Sequence, residues 1–96
     1  MSAVIDGAVT ALTAKFGASG FDGSAKFVID GEGALMVDGT GVRAGDEPSD
    51  VTLTADADTF QSILSGDMNP TAAFMSGKLT VDGDMGAAMK LAGALG

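Results

Sequence analysis

The segment Ser24-Ala25-Lys26-Phe27-Val28-Ile29-Asp30-Gly31-Glu32-Gly33-Ala34-Leu35-Met36-Val37-Asp38 decides how this chain folds. Ala25, Phe27 and Ile29 alternate with Lys26, Val28 and Asp30, the period-two pattern of a strand buried on one face. Asp30-Gly31-Glu32-Gly33 breaks the run with turn residues. Ala34 to Asp38 then alternates again, Leu35 and Val37 opposite Ala34 and Met36. Two strands joined by an Asp-Gly turn are a hairpin.

Working outward toward the C-terminus, Asp38-Gly39-Thr40-Gly41 repeats the turn chemistry and Val42 to Ala44 makes a short third strand. Gly45 to Ser49 is a polar turn. Val51, Leu53 and Ala55 alternate with Thr52 and Thr54 as a further strand, so the run holds three or four antiparallel strands. Asp56 caps a helix that places Ala57, Phe60, Ile63 and Leu64 on one face and stops at Gly66. Asn69-Pro70 opens a second helix through Phe74 and Met75, ended by Gly77. Lys78 to Asp82 reads as a strand, and Asp84 caps a last helix with a stripe of Met85, Ala88, Met89, Ala92 and Leu95.

Toward the N-terminus, Ile5, Ala8, Val9, Leu12 and Phe16 recur at helical spacing from Ala3 to Phe16, with Ser2 as cap and Gly7 as the weak point. Gly17 to Gly23 is a loop. Strands in hairpins combined with helices give an α+β class, with helices laid on one face of a sheet.

Composition narrows the chemistry. The 96 residues contain no Cys and no His, so thiolate, imidazole and disulfide chemistry are excluded. Thirteen acids against five bases give a net charge of -8, which opposes binding to nucleic-acid phosphates. Five Phe and six Met supply a core that an acidic disordered chain would lack. No window is apolar for long enough to span a bilayer and no export signal opens the chain, so the expectation is a single cytoplasmic domain over residues 1–96.

Other motifs fail on spacing. The Asp-Gly strings lack the twelve-residue ligand pattern of a calcium loop, and Gly77-Lys78 lacks the rest of a phosphate-binding loop. No two acids are marked as a catalytic pair. The expectation is therefore a protein that is not an enzyme and needs no cofactor and no metal. Phe60, Met68, Phe74, Met75, Met85 and Met89 remain as a compositional excess from residue 60 onward. Such residues serve as ordinary core, or as the adaptable wall of an apolar site.

The run from Pro48 to Thr54, the helix with Phe60, Asn69-Pro70, Ala73-Phe74-Met75-Ser76-Gly77-Lys78-Leu79 with the strand after it, and Ala88-Met89-Lys90-Leu91 resemble the type-2 sterol carrier protein family, in a small stand-alone bacterial-type form. The resemblance implies a five-stranded, mixed but largely antiparallel sheet with helices on one face around an apolar tunnel. It implies non-catalytic binding and transport of a lipid ligand: fatty acid, fatty acyl-CoA, phospholipid or sterol. The ligand-binding residues it suggests are Phe60, Ile63, Leu64, Phe74, Met75, Met85, Met89 and Leu95. Transient contact with a membrane or a protein fits such a carrier, and a cavity-less interaction module using the last helix is the alternative. Burying ~15 methylenes at ~0.8 kcal/mol each gives ~12 kcal/mol gross. Association costs of ~4 to 15 kcal/mol leave affinity near the micromolar range. The acidity favours free fatty acids or neutral lipids over acyl-CoA.

Overall fold

The computed structural model describes residues 3–16, 21 and 23–95, the side chains of residues 94 and 95 excepted. Its elements are α1 (Ala3–Phe16), β1 (Ser24–Ile29), β2 (Gly33–Asp38), β3 (Gly41–Ala44), β4 (Val51–Ala55), α2 (Ala57–Ser65), α3 (Pro70–Met75), β5 (Thr80–Gly83) and α4 (Met85–Leu95). Ser2 and most of the loop expected over residues 17–23 lie outside the described residues.

Local signals set the boundaries. The Asp56 carboxylate accepts from the Thr59 N–H at 2.7 Å, and this bond holds its pKa below the ordinary value. Gly66, at φ 87°, closes α2 by donating its N–H to Ile63. Asn69 Oδ1 accepts from the Thr71 N–H at 2.8 Å ahead of Pro70. Asp84 Oδ1 accepts from the Gly86 N–H at 2.8 Å at the start of α4.

The five strands form one sheet in the order β3-β2-β1-β4-β5. The β1–β2, β2–β3 and β4–β5 pairs are antiparallel, but β4 runs parallel to β1. Of the three or four antiparallel strands expected, β1 to β3 are so paired: β3 occupies the sheet edge, and the chain must recross two strands before β4 can pair. Residues 45–50 make that crossing. The Gly45 N–H donates to the Ala34 carbonyl, Lys26 Nζ lies 2.8 Å from Asp46, and the Asp50 N–H donates to Ser24 Oγ at 2.9 Å. The crossing also covers Met36, which faces away from the helices yet is 1% exposed.

At the β2–β3 turn, Asp38 accepts from Thr40 and from Arg43 Nη1, the latter at 2.9 Å. Thr40 first and Arg43 second hold the Asp38 pKa down at about 2.

On the opposite face Leu35, Phe27 and Leu53 form one cross-strand row, flanked by Ala25, Val37 and Val51. The Phe27 and Phe60 rings meet at a centroid distance of 5.2 Å. Helix α1 lies over β2 and β3, and α4 over β1, β4 and β5. Between them Leu12, Phe60, Ile63, Ala73 and Leu91 complete a single buried cluster. The apolar stripe expected on α4 is rotated in the structure. Ala88 and Leu91 face the core while Met85 and Met89 are exposed, because α4 is apolar nearly all round and packing chose its smaller, closer-fitting side.

Candidate functional site

Helix α1 owes its shape to small residues. Ile5, Ala8 and Leu12 are buried against the sheet, while Ala3, Gly7 and Ala11 recur every four residues on the flank turned to α2. A run of side chains no larger than methyl leaves space beside a helix that larger residues would fill. A Cβ placed on Gly7 would have no neighbour within 4 Å.

Helix α2 supplies the other wall. Its capped start orients Phe60 into the core, where the buried ring backs the groove, and Gln61, Leu64 and Ser65 follow along the same side. The result is an open groove of about 360 Å³ lined by Ala3, Val4, Gly7, Ala8, Ala11, Phe60, Gln61, Leu64 and Ser65. Its volume lies at the lower end of the ~300–1,000 Å³ usual for small-molecule sites. The floor and walls are apolar, and Gln61 and Ser65 are the polar side chains on the rim. Among the described residues no charged one lines it. Such a surface can shelter a linear hydrocarbon and offer a hydrogen bond to a polar end.

The structure divides the eight residues expected to bind ligand. Phe60 and Leu64 line the groove, and Ile63 is buried behind them. Phe74, Met75, Met85 and Met89 are exposed on α3 and α4 and do not line it. The Leu95 side chain is outside the described residues. The α1 half of the groove was missed in the sequence, although a signal was present. Gly7 costs an isolated helix ~1 kcal/mol relative to Ala, and with Ala3 and Ala11 it forms a small-residue stripe. A second concavity, of about 440 Å³ at the β1–β2 turn, is lined by Asp30, Glu32 and Asp46 among glycines and lacks that apolar continuity.

The family model described as the SCP-2 sterol transfer family matches residues 6–96. Among curated proteins, "Hydroxysteroid dehydrogenase-like protein 2" of Xenopus tropicalis is 44% identical over 79 residues, covering 74% of this chain and 19% of the relative. "Sterol carrier protein 2" of Homo sapiens is 35% identical over 88 residues, covering 88% of this chain and 15% of the relative. The chain thus spans less than a fifth of the length of either protein. The solved structure of sterol carrier protein 2 like 2 from Aedes aegypti superposes with a TM-score of 0.77 at 24% identity, covering 93% of this chain and 94% of that one. The Aedes aegypti sterol carrier protein 2 complex with the C16 fatty acid palmitate superposes at 0.78 with 20% identity, covering 99% and 96%. At these identities the two structures show a shared fold.

Proposed function

The chain belongs to the SCP-2 sterol transfer family, and on that premise we propose that it is a non-catalytic lipid carrier whose ligand lays its hydrocarbon chain along the groove between α1 and α2. The observation that carries this reading is the groove itself, mostly apolar and, among the described residues, lined by no charged side chain. Phe60 and Leu64 touch the chain from one side, Ala3, Gly7 and Ala11 from the other, and Ile63 backs the wall. Gln61 and Ser65 meet the polar end. A complex of an Aedes aegypti neighbour with palmitate supports a fatty acid as the ligand class.

An open groove buries about half of each methylene it holds, worth ~0.4 kcal/mol per CH₂. Affinity therefore rises roughly two-fold with each added methylene until the groove is filled. Free fatty acids and neutral lipids are preferred over acyl-CoA. The chain carries a net charge of -8, Lys26 is bridged to Asp46, and Arg43 is bridged to Asp38 and Glu47.

Displacement of a fluorescent fatty acid by saturated acids of increasing length checks both statements. The expected result is competition that strengthens with length, with acyl-CoA weaker than the free acid at low salt. No displacement by any of the acids, or displacement that does not strengthen with chain length, overturns the reading. We also read the carrier as bacterial-type. The relatives named above are animal proteins of which the matched part is a minor share, and they lend that finer reading no support.

A further inference from the structure

The 96 residues include no Cys, His, Trp or Tyr, so methionine sulfur is the most readily oxidised side-chain atom the chain offers. Of the six methionines, Met1 lies outside the described residues, and the other five divide by environment. Met36 is 1% exposed beneath residues 45–50, and Met68 is packed against the core. Met75, Met85 and Met89 are 80%, 51% and 74% exposed. They lie on α3 and α4, which pack against each other, and with Phe74 they are the large hydrophobic side chains exposed among the described residues. None of them lines the α1–α2 groove.

We infer that Met75 and Met89, the two most exposed, form a reversible oxidation site at which hydrogen peroxide turns the apolar α3–α4 surface polar while the fold and the groove stay as they are. The sulfur lone pair attacks one peroxide oxygen and the O–O bond breaks. That oxygen stays on sulfur as a sulfoxide, the other leaves as water, and the two electrons sulfur gives up reduce the peroxide. Thiol-dependent methionine sulfoxide reductases reverse the step: the oxygen leaves as water and two thiols become a disulfide. Hydrogen peroxide is uncharged, so the net charge of -8 does not repel it. A new S=O at Met75 or Met89 is hydrated by solvent, whereas the same group at Met36 would be buried without a partner. Each sulfoxide replaces a flexible apolar side chain by a polar one, so two within one surface change its character. This inference rests on α3 and α4 and is independent of the α1–α2 groove.

Peptide mass spectrometry of the full chain tests it, with samples taken during exposure to hydrogen peroxide and then to the two methionine sulfoxide reductases, one for each sulfoxide epimer. Met75 and Met89 each take one oxygen at least ~10-fold faster than Met36, which is reached only when the structure opens. At two oxygens per chain the circular dichroism spectrum and fatty-acid displacement match those of the unoxidised protein, retention on a hydrophobic-interaction column falls, and the reductases restore it. Met75→Leu with Met89→Leu, which keeps the surface apolar without the sulfur, holds its retention through the same treatment. A protein that never binds fatty acid leaves the oxidation order and the retention change untouched, so a failure of the groove reading is distinguishable from a failure here. Oxidation of Met36 or Met68 as fast as Met75 and Met89, unfolding or lost displacement at two oxygens, retention that peroxide leaves unchanged, or a double variant that loses retention like wild type overturns the inference.

Discussion

Replacing Gly7 by Leu is expected to abolish fatty-acid binding while making the protein more stable. Gly7 sits in the middle of α1, exposed, with open space where its Cβ would be. A leucine gains ~0.8 kcal/mol of helix propensity over glycine, and the site needs no rearrangement to accept it. Its side chain points back toward the N-terminus, over Ala3 and Val4, and occupies the groove where the acyl chain would lie. Affinity should fall at least ~10-fold, because the loss of three or four half-buried methylenes already amounts to that at ~0.4 kcal/mol each. The melting temperature should rise by a few degrees, ~0.8 kcal/mol at roughly 4–8 °C per kcal/mol. Gly7→Ala provides the intermediate step: similar stabilisation with a small loss of affinity. Opposite movements of stability and binding separate a blocked site from a damaged fold. A Gly7→Leu protein that binds as tightly as wild type removes the groove from the account.

Gly83 should behave in the opposite way. It ends β5 at φ 111°, facing Val51 in register, and a Cβ there would overlap the Asp50 carbonyl oxygen and lie 3.0 Å from Val51 Cα. That carbonyl accepts the Asp84 N–H at 2.9 Å, and the Asp50 side chain accepts the Ser24 N–H at 3.2 Å. The backbone around Asp50 therefore ties β1, β4 and the β5–α4 junction together and has little freedom to retreat. Gly83→Ala should cost roughly 2–5 kcal/mol, combining the strain of positive φ with forced separation of two backbones. At roughly 4–8 °C per kcal/mol the melting temperature should drop by at least ~10 °C, read by circular dichroism. A drop of only one or two degrees would show that β4 and β5 are not in this contact.

These two glycines also mark what was legible in the chain. Asp56, Asn69 and Asp84 announce their helices because a cap depends on neighbours three residues away, and the Asp-Gly turns announce the hairpins for the same local reason. The parallel pairing of β4 with β1 was not legible in the residues themselves, since strand partners are chosen over a long separation. The resemblance supplied the mixed sheet where periodicity alone gave an antiparallel run. The burial of Met36 was not legible either, because nothing local says that residues 45–50 will cross over it.

The site divides in the same way. Phe60 and Leu64 declared themselves by helical spacing, and both line the groove. The α1 wall did not, because Gly7 and its neighbouring alanines register as weak helix signals and their meaning depends on α2 lying alongside. On α4, Met85 and Met89 satisfy the periodicity as well as Ala88 and Leu91 do. Only the fit against β1 and β4 shows which pair is inside.

The most direct test of the carrier account is to locate the chain of a bound fatty acid. With a carbon-13-labelled long-chain acid and selectively methyl-labelled protein, nuclear Overhauser contacts from the chain methylenes should reach the methyl groups of Val4, Ala11 and Leu64. Contacts confined to the Met85 and Met89 methyls, or to Leu53 beneath the helices, would contradict a ligand lying between α1 and α2.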